Sequence, residues 1–161
     1  MKTAILFFIL LSIILSSCGA NGEQEVVVVP QNFRGYIIII FNQKNGSPPK
    51  YEGKKRVYEI PRSGILITQF EPNEEWQTFP EYYDGKIAPE NKLSSFAEIE
   101  KVPVDTIVGF MGAAGSMRKK GYNEDRFMFA QFFVGTKADI KYAQKQTEKA
   151  DFVLGILKQA K

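Results

Sequence analysis

The chain contains no histidine and only one cysteine, Cys18. The first absence removes Ser-His-Asp catalysis and every zinc site that relies on imidazole. The second removes any disulfide within the chain, so packing alone must hold the fold. No EF-hand loop, Walker phosphate loop or dinucleotide fingerprint occurs. Gly109, Gly112 and Gly115 are spaced by three, but the lysine and hydroxyl of a phosphate loop are missing. They read as a glycine-rich strand connection. Ser116 with Lys119 or Lys120 likewise lacks the spacing of a Ser-Lys dyad. Charge of one sign is scarce too. The net charge is only +3, and no basic cluster is interleaved with aromatics, so nucleic acid is not an expected partner.

The N-terminus is the first feature with a clear reading. Lys2 is the only charge before Glu23, and Ala4 to Leu15 is apolar apart from Ser12. A charged start followed by a short apolar run is the layout of a secretory signal. The run falls short of the roughly 20 residues of a spanning helix. It ends in Leu15-Ser16-Ser17-Cys18, which resembles the bacterial lipobox: an aliphatic residue, two small residues, then cysteine. That resemblance implies a diacylglyceryl group on the Cys18 sulfur and cleavage just before it. Two or three acyl chains hold a protein on a membrane far more firmly than one, at about 0.8 kcal/mol per buried methylene. The competing reading is a plain signal peptide cut nearby, or an uncleaved anchor. Lipidation also accounts for a lone cysteine in an exported chain.

The expected organisation is therefore a signal peptide over 1–17, a lipidated tether over 18–25 and one domain over 26–161. Val26 to Val29 and Tyr36 to Phe41 are rich in β-branched residues and predict strands. The continuous run Ile37 to Ile40 fits a strand covered on both faces. Asn42 to Lys55 is polar and predicts a long turn. Arg56 to Ile60 and Ile65 to Phe70, separated by Pro61 to Gly64, read as a β-hairpin. A strand is expected near Tyr82 to Ile87, with further candidates at Ile99 to Val102 and Thr106 to Met111. Gly112 to Ser116 and Arg118 to Asn123 predict loop. Arg126 to Val134 predicts a strong strand. Thr136 and Asp139 form a capping-box pattern. Ile140, Ala143, Thr147, Ala150, Leu154 and Leu157 step by three or four, which predicts an amphipathic helix over Lys137 to Gln159. The expected fold is mainly β, a β-sandwich or barrel-like arrangement of seven or eight strands, with one C-terminal amphipathic helix.

Several blocks resemble, in their order, a bacterial lipoprotein domain of unknown function. They are Val29-Pro30, Phe33-Arg34-Gly35, Lys55 to Pro61, Gly64 to Thr68, Gly112 to Ser116 and Phe132 to Thr136. The resemblance covers Val26 to about Leu157. It implies an envelope lipoprotein and carries no substrate or catalytic residue with it.

Candidate binding residues come from the aromatic, proline-rich stretch and the strand before it. Trp76, Tyr82 and Tyr83 can stack on a sugar or hold a peptide, and Tyr and Trp are common interface anchors. Arg56 and Tyr58 can line the same site. The plainer reading is that the aromatics close one end of the domain and that Arg56 is solvated. Carboxylates are the acid/base groups left, with Glu81, Asp84, Glu124 and Asp125 the candidates for a pair flanking a glycosidic bond. No catalytic residue, metal ligand or cofactor is assigned. The expected function is a non-catalytic binding or scaffold domain of the cell envelope. It would be anchored outside the cytoplasm through lipid on Cys18 and would meet an envelope protein or glycan. The alternative is a carboxylate-dependent hydrolase of envelope glycan or peptide.

Overall fold

The computed structural model describes residues 22–73, 79–118 and 126–148, with backbone only at 117 and 118. The expected signal segment and Cys18 lie outside them. Nine strands are described: β1 (Glu25–Val29), β2 (Gly35–Ile40), β3 (Tyr51–Glu52), β4 (Lys55–Glu59), β5 (Ile65–Ile67), β6 (Glu81–Asp84), β7 (Lys92–Phe96), β8 (Val108–Arg118) and β9 (Arg126–Gly135). They form one mixed sheet in the order β3-β4-β1-β6-β7-β8-β9-β2-β5. Helix α1 (Lys137–Thr147) follows directly on β9.

The sheet curls into a half-barrel. β4 and β5 stand near opposite ends of the strand order, yet the Tyr58 ring lies 5.4 Å from that of Phe70, just past β5. The two ends of the sheet therefore meet through aromatic side chains. The inner face is one continuous core. It contains Val27, Val29, Ile37, Ile39, Tyr58, Ile60, Leu66, Phe70, Tyr82, Phe132 and Val134. The alternation expected of half-buried strands sorts these residues inward and their neighbours outward.

Outside, α1 covers the β8-β9-β2 region with Ile140 and Ala143. These pack with Val108, Phe110 and Phe133. A second outer patch joins Val26, Val57 and Tyr83. A third joins Ile38 and Ile40. The isoleucine run is thus buried on both faces, as its composition predicts. The capping box is formed: the Asp139 N–H donates to Thr136 Oγ1, and the Thr136 N–H donates to Asp139 Oδ2 at 2.9 Å. The part of the expected helix beyond Glu148 lies outside the described residues.

The mainly β fold with a C-terminal helix is as expected, and the barrel-like form is the one adopted. Local expectations fail in five places. Arg56 to Phe70 is not a hairpin, because β4 pairs in parallel with β1 and β5 pairs in parallel with β2. Each strand takes a nonlocal partner, and the turn between them bridges the seam of the curl. Gly112 to Ser116 is not a loop but the middle of β8, with an irregularity between Met111 and Ala114. Small residues fit there because large ones stand opposite on β9. A Cβ on Gly112 would lie 2.4 Å from the Gln131 carbonyl oxygen. Ile99 to Lys101 is a single 3-10 turn. Two strands have no counterpart in the expectations: β7, whose residues are mostly polar, and the two-residue β3 inside the polar stretch.

Candidate functional site

Strand register decides which of the candidate side chains meet. In β1 and β4, Glu25 stands beside Arg56 and Val27 beside Tyr58. In β1 and β6, Val27 stands beside Tyr82 and Val28 beside Tyr83. Partners in adjacent strands share a face. Glu25, Arg56, Tyr58 and Tyr82 therefore point inward together, and Tyr83 points outward. The structure brings three of the five sequence candidates, Arg56, Tyr58 and Tyr82, to one end of the half-barrel interior. It separates Tyr83 from them. Trp76 lies outside the described residues.

The centre of the inner group is Glu25, which is buried. Tyr58 Oη donates to Glu25 Oε1 at 2.8 Å, and Asn73 Nδ2 donates to the same oxygen at 3.2 Å. Asn73 also donates to the Glu23 carbonyl at 2.7 Å, which ties the chain after β5 to the start of β1. Burial raises the Glu25 carboxyl above the ordinary glutamate range, against the lowering effect of these bonds and of the nearby Arg56 charge. Burial, reinforced by the Glu25 charge, also raises both tyrosine hydroxyls, so they stay protonated at ordinary pH. Tyr82 is only 1% exposed, and its hydroxyl has no hydrogen-bond partner among the described residues. Such an atom forfeits its hydration without a replacement.

Arg56 sits at the mouth of this group. Its Nε donates to the Glu23 carboxylate, and Nη1 donates to the Glu71 carbonyl. Its guanidinium carbon lies 5.1 Å from the centre of the Phe70 ring. Arg56 is therefore a packed, paired residue rather than a solvated one. A planar guanidinium suits this combined stacking and hydrogen bonding better than a lysine would.

The outward residues form a separate, wetter cluster. Glu81 accepts from Lys55 Nζ at 3.0 Å, from Gln24 Nε2 at 3.0 Å and from Tyr83 Oη at 3.0 Å, and Lys92 lies 3.4 Å away. Partial burial works to raise the Glu81 carboxyl, but the hydrogen bonds and lysine charges outweigh it and leave it low. Asp84 accepts the Asn32 N–H at 2.8 Å and serves a turn. Glu124 and Asp125 lie outside the described residues. Glu25 and Glu81 are thus on opposite faces of the sheet. Among the described residues, no group of three metal-ligating side chains converges.

Two grooves lie among the described residues. One, of about 640 Å³, runs between the Ala97–Glu100 turn, the Phe110–Ala113 part of β8 and the end of α1. The other, of about 510 Å³, lies in the seam between Glu59–Pro61 and Ile65–Ile67. Neither is lined by any of the five sequence candidates. Sequence reasoning missed Glu25 and Asn73. Glu25 looks like the polar end of a valine strand until its pairing with Arg56 is known, and nothing local marks Asn73.

The model of a family described only as a family of unknown function, DUF6843, matches residues 21–138. The fold is similar to a crystal structure of a "Putative Lipoprotein from Bacillus anthracis", with a TM-score of 0.59 and 15% identity over 86% of this chain and 93% of that one. No curated protein matches.

Proposed function

We propose, for a chain that belongs to this family of unknown function, an extracytoplasmic lipoprotein anchored through Cys18. Its half-barrel would display a non-catalytic binding or scaffold surface in the cell envelope. The observation that carries the anchor is that the chain's one cysteine stands at the lipobox position, directly after a short apolar run. The name of the similar B. anthracis protein, "Putative Lipoprotein", agrees with it. No helix among the described residues is long and apolar enough to cross a membrane. A lipid on Cys18 would supply the attachment.

The non-catalytic part rests on the placement of carboxylates. Hydrolysis between two carboxyl groups needs both to face one bond, some 5 to 10 Å apart. Glu25 and Glu81 face away from each other across the sheet, and each is engaged by its own hydrogen-bond partners. The inner face is filled by Tyr58, Tyr82 and Phe132, each at or below 1% exposure, and by their buried neighbours. Ligand capture therefore falls to the surface, where Arg56 and Asn73 both bond to Glu23.

Two experiments test this. Intact-mass analysis of membrane-extracted protein should show a chain starting at Cys18 plus acyl mass, and a Cys18→Ala protein should leave the membrane fraction. Crosslinking in intact envelope should capture a partner without turnover of glycan or peptide substrates. Turnover abolished by a single carboxylate substitution would establish the hydrolase instead.

A further inference from the structure

The groove between the Ala97–Glu100 turn, β8 and the end of α1 has an apolar floor and fixed walls. Phe110 and Phe133, with ring centres 6.3 Å apart, form the floor and pack with Ile140 and Ala143 of α1. Val102, just past the turn, is buried in the same cluster. Lys137 Nζ, at the start of α1, donates to the Glu100 carbonyl at 2.9 Å. The turn and the helix are thus tied to each other, and the groove of about 640 Å³ between them is preformed.

One side of this groove is a strand edge without a partner. β7 pairs with β8 only from Val108 to Phe110. It ends at Phe96, and its chain leaves the sheet for the 3-10 turn at Ile99–Lys101. On the other side of β8, the register with β9 shifts between Met111 and Ala114, so Gly112 and Ala113 have no strand partner there either. From Met111 onward, β8 therefore presents backbone N–H and C=O groups along the line that β7 vacates. Natural edges are commonly guarded by charged side chains, proline or a covering element. Here Gly112, Ala113, Ala114, Gly115 and Ser116 are small and uncharged, and no strand among the described residues lies beside them on that edge.

Charge narrows the choice of occupant. The chain carries a net charge of +3, yet the groove is lined by Glu98, Glu100 and Glu148 and by no lysine or arginine. Glu98 pairs with Lys101 at 2.6 Å, but the two side chains are 63% and 66% exposed, where such a pair holds weakly. The Glu100 and Glu148 carboxylates have no ion-pair partner among the described residues. Glu148 is the C-cap of α1, at the negative end of the helix dipole, which deepens the same field.

An extended cationic peptide uses all of these features. Its backbone pairs with the open edge, as in strand addition to other sheets. Lysine or arginine at alternate positions falls on one face of such a strand. The apolar stem of each lies along the floor and its charged head reaches the rim. A helix would leave the β8 backbone unpaired, and an anionic ligand would meet three carboxylates.

We propose that this groove binds an extended segment of a partner protein, with lysine or arginine at alternate positions, added as a strand along the β8 edge. The surface is distinct from the one that Arg56 and Asn73 share with Glu23, and its test makes no use of the lipid anchor. Fluorescence anisotropy of labelled Lys-Val-Lys-Val-Lys-Val is followed as the lipid-free mature chain is added. The labelled Glu-Val-Glu-Val-Glu-Val peptide should not bind. E98Q/E100Q/E148Q should weaken binding of the lysine peptide about tenfold, the combined effect of three exposed ion pairs. All three glutamates are exposed, and an unchanged thermal melt checks that the variant is folded. The lysine peptide with every backbone amide N-methylated keeps its charges but donates no backbone hydrogen bond, and its affinity should fall at least about fivefold. Failure of the unmodified lysine peptide to bind overturns the proposal. Equal binding of the glutamate peptide, or unchanged affinity in E98Q/E100Q/E148Q or after N-methylation, overturns it as well.

Discussion

Tyr58 and Tyr82 flank Val27 on the same inner face, and the same substitution should act on them with opposite sign. Both are fully buried. Tyr58→Phe removes the 2.8 Å hydrogen bond to Glu25 and leaves a buried carboxylate with only the longer bond from Asn73. A hydrogen bond to a charged group contributes about 1.5–3 kcal/mol. Tyr82→Phe removes a hydroxyl that bonds to nothing among the described residues while keeping the ring against Phe132. Relief of that desolvated group should stabilise by about 1 kcal/mol. With an m-value of about 2 kcal/mol per molar urea, the Tyr58→Phe midpoint should fall by about 1 M and the Tyr82→Phe midpoint should rise by about half that.

The pH dependence sharpens the same test. Burial gives Glu25 a higher pKa in the folded than in the unfolded state. For an acid raised in this way, the folded state binds the proton more tightly, so the Glu25 contribution to stability declines as pH rises through that window and is most favourable below the unfolded value of about 4.3. Loss of the Tyr58 bond raises the folded value further. The gap between wild type and Tyr58→Phe should therefore be widest at neutral pH and narrow toward acid, where only a neutral hydrogen bond is at stake. The assay is urea unfolding of the lipid-free mature chain at pH 4 and pH 7. Equal midpoints for the two variants, or a Tyr58→Phe deficit independent of pH, would refute the assignment of Glu25 as a buried, tyrosine-held carboxylate.

Two further expectations test the packing and the cap. A Cβ on Gly109 would lie 2.2 Å from the Tyr82 ring, whereas one on Gly115 would meet only the Phe129 ring at 3.6 Å. Gly109→Ala should cost about 3 kcal/mol and Gly115→Ala should stay within about 1 kcal/mol of wild type by the same urea assay. Asp139 is held below the usual aspartate range by the Thr136 N–H and hydroxyl. Its contribution is present above the unfolded value of about 3.9 and is lost as pH falls through the folded one, and Thr136→Ala should cost about 1 kcal/mol at neutral pH and less in acid, read by helical circular dichroism during melting.

What could be read in the sequence were the features set by local chemistry. The lipobox reading of Cys18 needs only neighbouring residues. The isoleucine run announced a strand with two covered faces because no alternation relieved it. Thr136 and Asp139 announced the start of α1 because a capping box closes within four residues. The inner-face trio was half legible. Tyr58 and Tyr82 stood out as large aromatics, but nothing in the sequence says that 24 residues apart they flank one valine.

Tertiary structure decided the rest, through pairings that a local reading does not contain. Parallel partners turned an apparent hairpin into the two sides of a seam, because β4 and β5 each found a buried strand that satisfies their backbone better than a neighbour in sequence. Period-two alternation then sent Tyr82 inward and Tyr83 outward, which split a candidate pair across the sheet. The same pairing gave the glycine-rich stretch a strand conformation, since the aromatics of β9 supply the volume that its own side chains lack. The sequence alone determined which segments prefer extended backbone. The fold determined that Glu25 is enclosed and that Arg56 is paired rather than free.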